Sequence, residues 1–287
     1  DSLIGWTFSG FSALNFSQVS LNNWAAGGKG TYTFLGNFSV NASYRQQKYS
    51  WDNTLNLNYG IQKTDGDPFR KNDDRIELIS KAAYQVKGNL YYAGLMTFRT
   101  QFHATFDNTS NSLVSNFMSP GWLQLALGLS YDVGEGFSAM LAPVSGKFTF
   151  VRDQRMADSG YFGVDAAVID PVSFLVLTPG SRLRSELGAY FFVTAKRTIM
   201  PNITLATRLD LFNNYSDKNI ENRKNIDVNW ETSLAMKINK WISATLFTHL
   251  IYDQDIPINL NLPENPSATG PRTQFKQVFG IGVSYKY

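Results

Sequence analysis

The chain holds two histidines, His103 and His249, and no cysteine. A thiol nucleophile is therefore excluded, and proton transfer near neutral pH would fall to one of two imidazoles. A hydrolase would need one of them oriented by a carboxylate beside a serine. No spacing around His103 or His249 matches such a motif, so the expected role of each is a polar-network histidine and no catalytic residue is assigned. The carboxylates Asp65, Asp67, Asp73, Asp74 and Glu77, with Asp253 and Asp255 further on, are the oxygen ligands that calcium would take. They lack the EF-hand spacing and read as hydrated loop charge, so neither a metal nor another cofactor is expected.

One further group stands out by its surroundings. Between Arg152 and Arg182, where turn-rich sequence predicts a long connection, lies the apolar run Val168, Ile169, Val172, Phe174, Leu175, Val176 and Leu177. Such a run either folds inward as a plug or presents an apolar patch to a partner.

The elements that must carry these groups show a two-residue period. Tyr32, Phe34, Phe38, Val40, Ala42 and Tyr44 fall on one face, with Asn37, Ser39, Asn41, Ser43 and Arg45 on the other. Leu55, Leu57, Tyr59 and Ile61 repeat the pattern, as do Leu123, Leu125, Leu127, Leu129 and Tyr131. Successive side chains of a strand point to opposite faces, so each stripe is the apolar face of a strand. Counting stripes predicts about twelve strands, most of them long enough to cross a bilayer at a tilt. Helical spacing competes nowhere, and no uncharged apolar stretch of about 18 residues offers a membrane helix.

Short links are expected at 49–50, 87–89, 132–136, 197–202 and 239–240. They alternate with longer ones at 21–29, 63–74, 104–121, 152–182, 216–225 and 253–272. Aromatic residues gather at both ends of the apolar stripes: Tyr32, Phe102, Tyr215 and Tyr252 at the long-link end, Tyr44, Tyr84, Tyr131 and Phe137 at the other. Alternating loop lengths and a double aromatic girdle are expected of an all-β, antiparallel, up-and-down transmembrane β-barrel. A soluble sandwich has no reason to segregate either. The whole chain, 1–287, is expected to form one such domain, with both termini on the short-turn, periplasmic side of a bacterial outer membrane. Asp1 opens the sequence with no basic or apolar leader, as expected where an export signal has been removed or left out.

The last stripe, Phe279, Ile281, Val283, Tyr285 and Tyr287, predicts the closing strand, paired with a first strand near Phe11–Ser20. Its Gly282, Tyr285 and Tyr287 resemble the C-terminal signal by which the barrel-assembly machinery recognises bacterial outer-membrane proteins, although Gly280 stands where a polar residue is usual. Other stretches carry a family resemblance. Leu14–Ser20 leading into Asn23–Gly28, with its Trp24-Ala25-Ala26-Gly27-Gly28 turn, then Asn225–Glu231 and Thr248–Asp253, resemble a family of uncharacterised outer-membrane barrels common in Bacteroidetes. The resemblance implies fold and location and supplies no catalytic residue.

Alternation predicts a mixed-charge lumen: Arg45, Glu77, Lys81, Arg99, Arg184, Glu186, Arg208, Asp210, Asp227, Glu231, Lys237 and Lys276. Ile79, Tyr91, Leu95, Tyr190, Phe192, Phe212, Trp241 and Phe247 should point inward with them. A barrel of this size is narrow, and such groups should constrict it, against a general porin. The net charge of +3 without a basic run argues against nucleic acid. The expected partners are outer-membrane lipid, the assembly machinery and other outer-membrane proteins or lipoproteins. The expected function is a non-catalytic accessory or scaffold subunit of an envelope complex. The alternatives are a narrow, porin-like diffusion channel and, last, an outer-membrane hydrolase.

Overall fold

A computed structural model describes residues 4–20, 29–107, 112–134, 136–259 and 268–286. Twelve strands close into one barrel: β1 (Gly5–Val19), β2 (Thr31–Gln46), β3 (Tyr49–Thr64), β4 (Arg70–Lys87), β5 (Leu90–Thr100), β6 (Gly121–Val133), β7 (Phe137–Phe150), β8 (Leu183–Met200), β9 (Ile203–Asn214), β10 (Asp227–Lys237), β11 (Ile242–Tyr252) and β12 (Gln274–Lys286). Each strand pairs antiparallel with its neighbours in sequence, and β12 pairs with β1. Closure leaves no free sheet edge, as hydrocarbon demands.

The outward face is apolar, with Phe8, Leu14, Tyr92, Leu127, Leu141, Leu187, Trp230, Phe279 and Ile281 all exposed. At the short-turn end Trp6 contacts Tyr44 and Trp51, and Tyr49 contacts Tyr84; these rings thicken that girdle beyond the residues expected. An apolar belt between aromatic girdles on a closed, up-and-down sheet defines a transmembrane barrel of the outer-membrane type.

Several boundaries differ from expectation. The first short turn is Gln47-Lys48, with Gln47 at φ 45°, and Tyr49 and Ser50 already belong to β3. The link expected at 63–74 shrinks to 65–69, because Arg70–Asp74 extend β4. These residues keep the backbone ladder while Asp73 and Asp74 pair with Lys276 and Lys71, a polar pairing that the apolar pattern cannot signal. Trp241, expected in the lumen, is 59% exposed at the turn after β10. There the Asn239 carboxamide accepts from the Trp241 and Ile242 amides, so strand parity does not extend to it. The Trp24–Gly28 turn and Tyr287 lie outside the described residues.

The β12–β1 seam pairs Phe11–Asn15 with Gly282–Lys286. Gly282 faces inward there, and a Cβ on it would run into the Leu14 carbonyl and the Asn15 side chain. A bulge interrupts β7 between Ala142 and Ser145, opposite both Gly128 and Gly188–Tyr190. It puts Met140 and Ala142 inward below it and Ser145, Lys147 and Thr149 inward above it; all but Lys147 are buried.

Candidate functional site in the lumen

Strand alternation delivers three kinds of side chain into the lumen. At mid-height Leu95, Met140, Tyr190, Phe192 and Phe212 form a buried apolar cluster with Ala83, Ala93, Ala126 and Ala142, and Ile79 and Tyr91 pack against it. All of it comes from β4–β9. Six of the eight large residues expected to constrict the lumen, Ile79, Tyr91, Leu95, Tyr190, Phe192 and Phe212, thus meet across that half of the barrel, while Phe247 and Trp241 stand outside the cluster.

An ionic network lies against this cluster. Glu77 is 1% exposed and accepts from Arg75 at 2.7 Å, Arg208 at 2.9 Å and Asn56 at 3.3 Å. Arg75 also reaches Glu231 at 2.6 Å, and Arg208 reaches Asp210 at 2.8 Å. Asp210 further accepts from Asn229 and from the Tyr190 hydroxyl. Two cations rest on the aromatic rings: Arg208 lies 5.2 Å from the Phe192 centroid and Lys147 5.4 Å from that of Phe212. Buried charges are tolerated only when paired in this way, and the pairing fixes geometry more than it adds stability.

Further pairs line the wall. Lys81 bonds Asp132, Ser130 and Ser138; Lys147 bonds Asp227 and Asp253; Arg184 bonds Glu186 and Asp255; Arg45 bonds Asp52. Several of the carboxylates that calcium would take pair with cations instead: Asp67 with Lys29, Asp73 with Lys276, Asp74 with Lys71. Among the described residues no group of three or more acidic or histidine side chains is placed to hold a metal.

The two histidines are not brought together. His249 sits in the lumen, its Nε2 2.6 Å from Asn229 Oδ1 and 3.5 Å from Glu231. His103 lies beyond the end of β5 and is exposed, its ring edge-on to Tyr59. Among the described hydrogen bonds neither ring meets a serine or threonine hydroxyl. Arg75, Asp132 and Lys147 are network members absent from the expected lumen set. Parity with Glu77 would have found Arg75, had β4 been extended upward.

Near the long-connection end the lumen widens into a cavity of about 170 Å³ bordered by Asn58, Arg75, Arg99, Trp122, Phe247, His249 and Lys276. The long segment 151–182 buries Val151, Met156, Ala157 and Val164 in a small cluster joined by Leu113 and Phe162, and Phe162 meets the Trp122 ring edge-on at 6.3 Å. A five-residue helix there, Gln154–Asp158, begins at Asp153, whose carboxylate accepts from the Arg155 amide and whose pKa is held below the usual range by the Arg155 guanidinium. The candidate plug residues do not enter the barrel. Val168–Ile169 pairs with Val176–Thr178 as a small hairpin, and Val172 and Phe174 at its tip are 86% and 81% exposed.

Residues 16–106 match the model of a family described as a protein of unknown function, DUF3078. No curated protein matches the sequence. Among solved structures, the chain is similar to an outer-membrane channel from Pseudomonas putida F1, at 11% identity and a TM-score of 0.41, covering 100% of this chain and 97% of that one. It is also similar to the NanC porin, at 9% identity and a TM-score of 0.40, covering 96% and 98%. A third likeness is the β domain of the Bordetella autotransporter BrkA, at 9% identity and a TM-score of 0.32, covering 99% of each.

Proposed function

We propose that this outer-membrane barrel is a non-catalytic accessory or scaffold subunit that docks other envelope proteins or lipoproteins through the hairpin at Val168–Leu177. In this reading the termini and short turns face the periplasm, the hairpin faces outward, and the closing strand with Gly282 and Tyr285 serves recognition by the assembly machinery. The observation that carries it is an exposed apolar tip on a hairpin braced by its own hydrogen bonds. The Asp170 carboxylate accepts from the Val172 and Ser173 amides at 2.7 and 2.9 Å, and the Asp170 carbonyl from the Phe174 amide at 2.9 Å. Phe174 itself adopts φ 57°, a conformation that costs a bulky residue on the order of 1 kcal/mol or more. Strain spent on exposing a phenyl ring fits a docking tip better than a solvated loop.

A photo-crosslinking residue at position 174, followed by isolation from native membranes in mild detergent, should give a covalent adduct and co-migrating protein. A monomeric species without an adduct removes this reading. A second reading, a narrow diffusion channel, is favoured by the small polar residues lining β1–β3. Planar-bilayer recording decides it, since a closed barrel gives no stepwise conductance.

A further inference from the structure

The cavity at the long-connection end of the lumen contains one cation that the ionic network leaves over. Arg99 faces inward on β5, directly across from Glu77 on β4 and from Trp122 on β6. Glu77 would be its natural partner, yet both Glu77 oxygens are engaged, one by Arg208 and the other by Arg75 and Asn56. Glu231 is bound by Arg75, and Asp73 by Lys276. Among the described residues the Arg99 guanidinium has no hydrogen bond or ion pair; its one contact is the Trp122 ring, 5.4 Å away. The neighbouring Arg75 Nε is also buried without an acceptor. A guanidinium offers five N–H donors in a planar fork, and donors left unmade in a confined site are costly.

We infer that this cavity binds the oxyanion group, carboxylate or phosphate, of a small solute, with Arg99 as the residue that receives it. Three features define the ligand class. The open donors are those of a guanidinium, which takes a carboxylate or phosphate oxygen pair bidentately. Trp122 and Phe247 bound the cavity and favour a ligand whose remainder is apolar or flat. The volume of about 170 Å³ matches a small anion. Lys71, Arg75, Arg99, Arg208 and Lys276 formally balance Asp73, Asp74, Glu77, Asp210 and Glu231. The site therefore attracts through directed hydrogen bonds rather than through excess charge, which suits weak, reversible occupancy. The inference stands apart from the docking function and holds whether or not the lumen conducts.

The intact barrel, purified in a neutral maltoside detergent, would be titrated separately with sodium acetate and sodium phosphate at constant ionic strength in chloride, reading tryptophan fluorescence. Trp122 lies against Arg99, so binding should give a saturable change that W122F removes. Saturation by acetate alone assigns a carboxylate ligand, and by phosphate alone a phosphate. R99Q should weaken binding at least tenfold while keeping the heat-modifiable gel mobility of a folded barrel, because it breaks no described hydrogen bond or ion pair and loses only the contact with the Trp122 ring. R99K, which keeps the charge and loses the fork, should weaken it about fivefold and serves as the test should R99Q not fold. No saturable response to either anion, or wild-type affinity in R99Q or R99K, overturns the assignment.

Discussion

The two halves of the lumen wall are built from the same strand geometry and filled in opposite ways. On β4–β9 the inward positions carry Leu95, Met140, Tyr190, Phe192 and Phe212, buried against one another. On β1–β3, β11 and β12 they carry Asn15, Ser39, Asn41, Thr54, Asn56, Ser243, Gly280, Gly282 and Ser284, joined by short bonds such as Ser39–Asn56 at 2.7 Å and Thr54–Asn41 at 2.8 Å. Inward Thr7, Ser9 and Ser17 remain exposed to the lumen. The contrast shows that whether a barrel of this size is a core or a passage depends on the inward residues rather than on strand number. Large apolar groups crowd one half of the circumference, while the other half carries mainly small polar groups, interrupted by Phe247 at the cavity.

The heaviest blow to the packed half should come from its buried charge. Glu77→Ala leaves Arg75 and Arg208 facing a void, and removing one partner of a buried ion network costs about 3–5 kcal/mol. Denaturant unfolding in detergent should show that loss, while Glu77→Gln should lose less. An unchanged midpoint for Glu77→Ala would mean water already reaches the network. Phe192→Ala should follow, at about 3 kcal/mol for a large core side chain. It should also produce or enlarge conductance in a planar bilayer, because it opens the apolar cluster toward the polar wall. The matching change on that wall, Ser39→Ala, should cost under about 1 kcal/mol, the worth of one neutral hydrogen bond. Equal losses at 192 and 39 would break the comparison.

The strand pattern, the up-and-down order and the inward aromatic set were legible in the sequence because lipid and lumen impose a period of two on every strand. What was not legible lies where that period is interrupted. The bulge between Ala142 and Ser145 reverses parity in β7, which hid Met140 and Ala142 from the core and Lys147 from the ionic set. Arg75 sits just below a polar run, Arg70–Asp74, that reads as a loop yet continues β4. Trp241 departs from alternation because it lies in the turn before β11, where strand parity does not hold. The isolation of Arg99 could not be read at all: it depends on Glu77 turning to Arg75 and Arg208 across the lumen instead of to its neighbour in the ladder, a choice made by tertiary geometry.

On the polar wall, tightness comes from backbone proximity, and Gly282 tests it. Gly282→Val forces a side chain against the Leu14 carbonyl and Asn15 at the closing seam, an overpacking worth about 1–3 kcal/mol. The folded fraction on heat-modifiability gels should fall more than for Gly36→Val in β2, where the nearest atom to a Cβ is the Tyr59 carbonyl oxygen at 3.8 Å. Equal behaviour would mean the seam can part without cost, and the polar wall would then be the hinged side of the barrel.

The smallest effect sets the buried carboxylate Glu77 beside an exposed one, Asp170, at the hairpin tip. The Ser173 and Val172 amides hold the Asp170 carboxylate below its ordinary pKa by hydrogen-bonding its charged form. A group depressed in the folded state stabilises above its unfolded pKa of about 3.9 and loses that contribution as pH falls through the folded value. The hairpin turn should therefore hold at neutral pH and loosen only below about pH 4, with the barrel intact. In isotopically labelled protein the Ser173 amide resonance should titrate with a midpoint below that of a free aspartate, and Asp170→Asn should abolish the titration. A midpoint at or above the ordinary value would show that the two amides do not bind the carboxylate in solution. The apolar tip would then lack the rigid turn on which its docking role rests.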